Sequence, residues 1–145
     1  MIREMRAQDQ ELYLAMTEEF YHSAAVLHPV APELREATFQ ELLRSDRYVD
    51  GFVLEDEGEP VGYALLAKTF SQEVGGLVVW IEELYLRPAC RGRGLGGAFF
   101  TFLRERYPEA RRFRLELTRG NDGARRLYER QGFEELDYLQ MVLDL

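Results

Sequence analysis

Apolar side chains at Leu12, Ala15, Met16 and Phe20 recur at helical spacing, which predicts a helix over residues 9–21 after a short strand at 2–5. Pro29 and Pro32 interrupt any continuation, so residues 27–32 read as a connection. A second helix over 33–43 carries Phe39, Leu42 and Leu43 as its stripe. The pattern then shortens. Residues 51–54 and 61–70 form two strand candidates around Glu55-Asp56-Glu57-Gly58-Glu59-Pro60, a breaker-rich turn that makes them a hairpin. After Gly75-Gly76, residues 77–86 are apolar throughout except at Glu82 and Glu83, as expected of a central strand covered on both faces.

A glycine-rich stretch follows Pro88, and Leu95, Phe99, Phe102 and Leu103 then return at helical spacing up to Pro108. Phe113, Leu115 and Leu117 alternate with Arg114, Glu116 and Thr118, the period of a half-buried strand. Asn121 is a good N-cap for a helix over 121–131 with Ala124, Leu127 and Tyr128 on one face, and Gly132 is its natural stop. Residues 133–136 and 139–143 read as two final strands. The order β, α, α, β, β, β, α, β, α, β, β predicts an α/β fold of the mixed α+β kind: one domain over residues 1–145, with a mixed, twisted sheet and helices on its faces.

The strongest chemical signal is Arg91-Gly92-Arg93-Gly94-Leu95-Gly96-Gly97. The first N–H groups of a helix have no partner inside it and sit at the positive end of the helix dipole, a ready seat for a diphosphate. Glycines let the backbone come close and adopt left-handed angles. Gly92, Gly94 and Gly97 also fit a dinucleotide fingerprint, with Glu116 near the distance of its ribose acid. That reading fails because the loop follows the fourth predicted strand, and too little chain remains for a second half. No Gly-Lys-Ser or Gly-Lys-Thr follows, which excludes a triphosphate loop.

Arg91-x-x-Gly94-x-Gly96, after Ile81-Glu82-Glu83-Leu84-Tyr85-Leu86-x-Pro88, resembles the acetyl-CoA signature of the GNAT superfamily of N-acetyltransferases. Asn121-x-x-Ala124-x-x-Leu127-Tyr128-x-x-x-Gly132-Phe133 is similar to that family's second signature. The predicted element order agrees, so the resemblance spans essentially the whole chain. It implies an acyltransferase with acetyl-CoA as co-substrate and no metal. By resemblance, the cofactor-binding residues are Arg91, Gly92, Arg93, Gly94, Leu95, Gly96 and Gly97 for the diphosphate, Leu84, Tyr85 and Leu86 for the pantetheine arm, and Asn121. Tyr128 stands where many members place the acid for the leaving thiolate; a phenol, with an ordinary pKa of about 10, is protonated at neutral pH. The Leu86 amide falls where the thioester carbonyl is polarised. Glu82 is the candidate base, as the first acid of such a pair in related enzymes acting on small amines. It interrupts an apolar strand, where a carboxylate is costly to bury. Glu83 should face the other way unless a bulge intervenes.

Composition narrows the acceptor more than the fold. The net charge of -8 argues against a nucleic-acid partner. The charge is also divided: residues 1–60 hold 14 acidic and 5 basic side chains, whereas residues 87–145 hold 9 acidic and 12 basic. The carboxyl-terminal part thus favours an anionic ligand and the amino-terminal part a cationic one. Glu18, Glu19, Tyr21 and His22 at the end of the first helix, together with Glu83, are candidate substrate-binding residues, suited to the primary amine of a small cationic molecule. His28 is a further candidate contact, without metal partners. Cys90 is read as a passive thiol, and as the only cysteine it excludes an internal disulfide. Trp80 is read as core or cofactor wall. Apolar runs are too short to span a bilayer, and residues 1–10 are polar and mixed in charge, unlike a secretory signal; a cytoplasmic protein with no membrane partner is expected. Two alternatives stay open, a non-catalytic acyl-CoA sensor and a protein lysine or N-terminal acetyltransferase. The last strands pair either within the chain or across a homodimer.

Overall fold

The computed structural model describes residues 1–145. In chain order the elements are β1 (Ile2–Glu4), α1 (Gln10–Tyr21), α2 (Pro32–Arg44), β2 (Val49–Asp56), β3 (Glu59–Ser71), β4 (Gly76–Leu86), α3 (Leu95–Arg106), β5 (Arg112–Leu115) and α4 (Asp122–Arg130). Pro32 opens α2 rather than preceding it; at the first helical position its missing N–H costs nothing. The five strands lie in chain order in one sheet. The first four are antiparallel neighbours and β5 joins β4 in parallel, so the sheet is mixed, as expected. A parallel neighbour needs a crossover, and α3 supplies it.

The β2–β3 hairpin turns on Glu57 and Gly58, both left-handed at φ 52° and 81°. Two such residues give the turn whose twist matches that of the flanking strands. Strand alternation then sorts the core. Phe52, Leu54, Ala64, Leu66, Val79 and Ile81 pack beneath Phe99, Phe100 and Leu103 of α3. On the opposite face Tyr63 and Tyr85 meet Tyr13, Met16 and Phe20 of α1 and Phe39 of α2. The helices are tied to each other by Arg35, which donates to the Leu14 carbonyl and the Thr17 hydroxyl and pairs with Glu18. No helix is long and apolar enough to cross a membrane.

One irregularity organises everything downstream. Leu65 pairs with Glu83 but Leu66 pairs with Ile81, so Glu82 is an extra residue in β4. This bulge reverses the alternation. Val79 and Ile81 face α3 before it, and Leu84 and Leu86 pack on that same side after it.

The carboxyl-terminal end differs from expectation. β5 stops at Leu115 and does not reach Leu117, because β4 has turned away and offers no ladder beyond Ile81. Residues 133–136 and 139–143 form no strands, so the sheet has five strands rather than seven. Phe133 is anchored against Phe100 and Tyr128, but beyond it the backbone pairs with no strand, and Leu139 and Met141 are each 95% exposed. A β pattern without a paired backbone is not a strand.

Gly62 lies opposite Leu86, where an added Cβ would sit 2.2 Å from the Tyr85 carbonyl oxygen. Backbone cannot yield as a side chain can. Gly62→Ala should therefore destabilise the fold by about 1–3 kcal/mol, read as a lowered midpoint of urea unfolding.

Candidate active site

β4 and β5 pair only over Val78–Ile81 and Arg112–Leu115. Past that point they separate, and a cleft of about 1350 Å³ opens between β4, the glycine-rich loop, the end of β5 and α4. The Arg87 amide donates to the Val61 carbonyl at 2.9 Å. Backbone direction alternates along a strand, so Leu84 and Leu86 direct their amides and carbonyls to the cleft.

The loop closes one end of this cleft. Gly92 and Gly94 are left-handed, at φ 75° and 81°, and Gly94 is the N-cap of α3. The first helical hydrogen bond runs from Ala98 N–H to the Gly94 carbonyl at 3.0 Å, and the amides of residues 92–97 donate to no acceptor within the chain. Six free donors at a helix N-terminus are the geometry that holds a diphosphate. The glycines do not all serve that end. A Cβ on Gly96 would stand 2.8 Å from Leu127 Cδ2, so this glycine lets α4 approach α3. Arg91 Nε donates to the Leu86 carbonyl at 2.9 Å, with its guanidinium 5.9 Å from the Tyr85 ring. Arg93 turns out of the cleft to pair with Asp56 at 2.8 Å.

Asn121 caps α4, its Oδ1 accepting from the Ala124 amide at 3.3 Å. That start carries Tyr128 into the cleft wall. Its ring is wedged between Phe100 and Phe133, with both centroids at 5.9 Å. The hydroxyl bonds to no protein group, and burial pushes its pKa above the usual phenol value.

The bulge brings both carboxylates of β4 to the cleft, although simple alternation would send them to opposite faces. Their surroundings differ. Glu83 is the buried one, 9% exposed, and accepts hydrogen bonds from Tyr21 Oη and Tyr63 Oη. Burial raises its pKa, and the two phenols and the charge of Arg35 restrain that rise. Glu82 is open to the cleft and makes no hydrogen bond or ion pair. Its carboxyl is also raised, by partial burial first and then by Glu116 and Glu83.

Of the residues expected to meet the acceptor, Tyr21 and Glu83 line the cleft, as does His28. Glu18, Glu19 and His22 do not. Glu18 pairs with Arg35 and His22, while Glu19 bridges Arg87 at 3.1 Å and Tyr85 Oη at 2.8 Å, which holds its pKa below the usual range. Trp80 is stacked beneath Arg114 at 4.1 Å, outside the cleft. Glu116, weighed in the sequence only as a ribose acid, lies across from Glu82. Its place on the polar side of the β5 alternation was the available signal.

Comparison with known proteins matches the acetyltransferase (GNAT) family to residues 10–133. The chain belongs to this family. An uncharacterized N-acetyltransferase of Methanocaldococcus jannaschii, MJ1207, is 35% identical over 112 residues, 72% of this chain and 49% of that protein. The chain thus spans about half the length of that relative. The uncharacterized N-acetyltransferase YhfO of Bacillus subtilis is 29% identical over 119 residues, covering 81% of this chain and 76% of its own. Among solved structures, the aminoglycoside N-acetyltransferase AAC(6')-Iy, in complex with the bisubstrate analogue CoA-S-monomethyl-acetylneamine, superposes with a TM-score of 0.80. It covers all of this chain and 97% of that one at 18% identity, a likeness of fold.

In this GNAT chain the cleft is electrically divided. Free amides and Arg91 stand at the α3 end, and Glu82, Glu83 and Glu116 at the other. The buried Glu83 leaves a thermodynamic signature. Its folded pKa lies above the ordinary 4.5, so the folded chain binds this proton more tightly than the unfolded one. Its contribution is therefore most favourable below the ordinary value and falls as pH rises through it toward the folded value. Glu83→Gln removes that loss. Urea unfolding across acid to neutral pH should show the variant gaining on wild type as pH rises above 4.5; parallel profiles would mean that the carboxyl is not raised.

Proposed function

We propose that this chain transfers the acetyl group of acetyl-CoA to the primary amine of a small cationic molecule by direct attack. The observation that carries this is the pairing, in one cleft, of six unpartnered amides at the start of α3 with an unpartnered carboxylate, Glu82, and an unpartnered phenol, Tyr128. The shared fold of AAC(6')-Iy, which was solved with a CoA bisubstrate analogue, supports a CoA-dependent transfer to an amine.

The amides of residues 92–97 and the dipole of α3 hold the diphosphate. The exposed edge at Leu84 and Leu86 suits the amide-rich pantetheine arm, because it offers the ladder partner that β5 no longer takes. Arg91 and the Asn121 cap fix the two sides of the loop and α4. Acetyl-CoA supplies an acyl group activated as a thioester. Glu82 takes a proton from the ammonium form of the acceptor, its raised pKa bringing it nearer the working pH of a general base. The neutral amine forms the C–N bond as the C–S bond breaks. The Leu86 amide donates to the charge developing on the thioester oxygen. Tyr128, kept protonated by burial, delivers its proton to the departing thiolate, and the proton that the acylated nitrogen sheds through solvent restores the phenol. Glu83, Glu116 and Tyr21 make the acceptor end acidic and aromatic, which suits a cation.

Incubation with acetyl-CoA and a panel of amines, followed by thiol release, tests the reading. Cationic amines should give turnover. CoA binding without release for any amine would instead indicate a sensor, and equal turnover of uncharged or anionic acceptors would remove the cationic preference. Tyr128→Phe should lower kcat by about 10²-fold or more while CoA affinity, measured calorimetrically, is retained. Glu82→Gln should depress the rate strongly at neutral pH and progressively less at high pH, where the acceptor is already deprotonated. A uniform loss at every pH would assign Glu82 a role other than proton removal.

A further inference from the structure

The Glu83 carboxylate is held from two sides, and only one of its holders reaches the cleft. Tyr63, on β3, is fully buried among Tyr13, Phe20 and Tyr85 and lines no part of the cleft. Its hydroxyl donates to Glu83 Oε2. Tyr21, the last residue of α1, lines the cleft and donates to Glu83 Oε1. Both phenols are pushed above their usual pKa, by burial first and then by Glu83, so each keeps its proton. A phenol has one proton and two lone pairs, and an ionised carboxylate only accepts. The Tyr21 proton is thus committed to Glu83, and its oxygen has only the capacity to accept left for the cleft. Glu83 itself forms no ion pair. Arg35 acts on it by charge alone, since that guanidinium is bonded to the Leu14 carbonyl, Thr17 and Glu18. A buried carboxylate with hydrogen bonds but no counterion carries a cost that a cation on its open side relieves.

We propose that Tyr63, Glu83 and Tyr21 form a directed chain of hydrogen bonds that makes the Tyr21 hydroxyl a fixed acceptor, so that it seats a primary ammonium by its N–H and discriminates against cations that carry none. An amine at this end of the cleft is the premise, and the chain adds how that amine is read. Charge alone, as from Glu116, attracts a trimethylammonium group as well as an ammonium, whereas an acceptor of fixed direction requires an N–H. Glu83 stands one step behind the amine and Tyr63 two, both as positioning residues. Tyr63 occupies Oε2 and so keeps Oε1 turned to Tyr21. The charge of Glu82 also reaches the Tyr21 phenol, which puts the seat and the base in one neighbourhood.

Calorimetry on the full chain loaded with CoA, which holds no acetyl group to transfer, measures the seat apart from the chemistry. The probe 1,4-diaminobutane should bind more tightly than its bis-trimethylammonium analogue. Tyr21→Phe should weaken the diamine about tenfold or more, the loss of one charge-assisted hydrogen bond, and leave the analogue unchanged. With acetyl-CoA present, the same variant should raise KM for the diamine by a similar factor, with the loss falling on KM rather than on kcat and with KM for acetyl-CoA unmoved. Tyr63→Phe, a change outside the cleft, should weaken the diamine roughly threefold or more. The two substitutions together should match Tyr21→Phe alone, because both act through one hydroxyl. Additive losses, or equal losses for both probes, would mark these residues as packing and overturn the proposal, as would a CoA-loaded chain that binds no diamine. Turnover of the diamine with an unchanged KM in Tyr21→Phe would overturn the seat while leaving acetyl transfer intact. Selective binding of the diamine without turnover would uphold the seat and remove the transfer.

Discussion

The structure turns on a change of partner in the middle of β4. A central strand satisfies its backbone on both sides, and it gives up one side only where something else is to be held there. Up to Ile81, β4 is an ordinary interior strand between β3 and β5. At Glu82 an extra residue is inserted, the alternation reverses, and from Leu84 onward one side of the backbone faces a cleft. Without that step the two carboxylates would lie on opposite faces of the sheet, and β5 would cover the edge that the cleft now exposes.

The surrounding packing keeps this opening in place. Tyr21 and Tyr63 bind the Glu83 carboxylate from two different elements, so α1 and β3 are both tied to the residue after the bulge. Glu19 joins α1 to the end of β4 through Tyr85 and Arg87. Arg91 returns from the loop to occupy the Leu86 carbonyl. The acidic residues at the end of α1 thus serve the frame rather than the cleft. Glu18 ties α1 to α2 through Arg35, and Glu19 braces the cleft wall.

Much of this was legible in the chain. The glycine-rich loop, the Asn121 cap and the helical face bearing Tyr128 each follow from local chemistry, and each stands where the pattern puts it. The bulge was not legible, because a run of apolar residues with two adjacent acids fits either regular alternation or an insertion. Only the pairing with Leu65 and Leu66 decides between them. The roles of the glycines were hidden for a similar reason: composition cannot separate Gly94, which needs a left-handed angle, from Gly96, which needs a neighbour's space. Glu18, Glu19 and His22 were assigned to the acceptor by their charge and their place at the end of the first helix, whereas Glu18 turns toward Arg35, Glu19 toward Arg87, and His22 lies outside the cleft against Glu18. The final strands failed in an instructive way. Periodicity reports a segment's readiness to pair, and pairing also requires backbone register with an open edge, which residues 133–143 do not make.

The contact between Gly96 and Leu127 has a consequence for how the sequence can drift. With under a side chain's width between α3 and α4, the two positions share one volume. A larger residue at 96 requires the Leu127 side chain to move aside or to be smaller, so the two positions are coupled. The constraint spans the two signatures, since position 96 belongs to the glycine-rich loop and 127 adjoins Tyr128. Their separation along the chain hides a shared boundary, and a change in one segment is felt by the other.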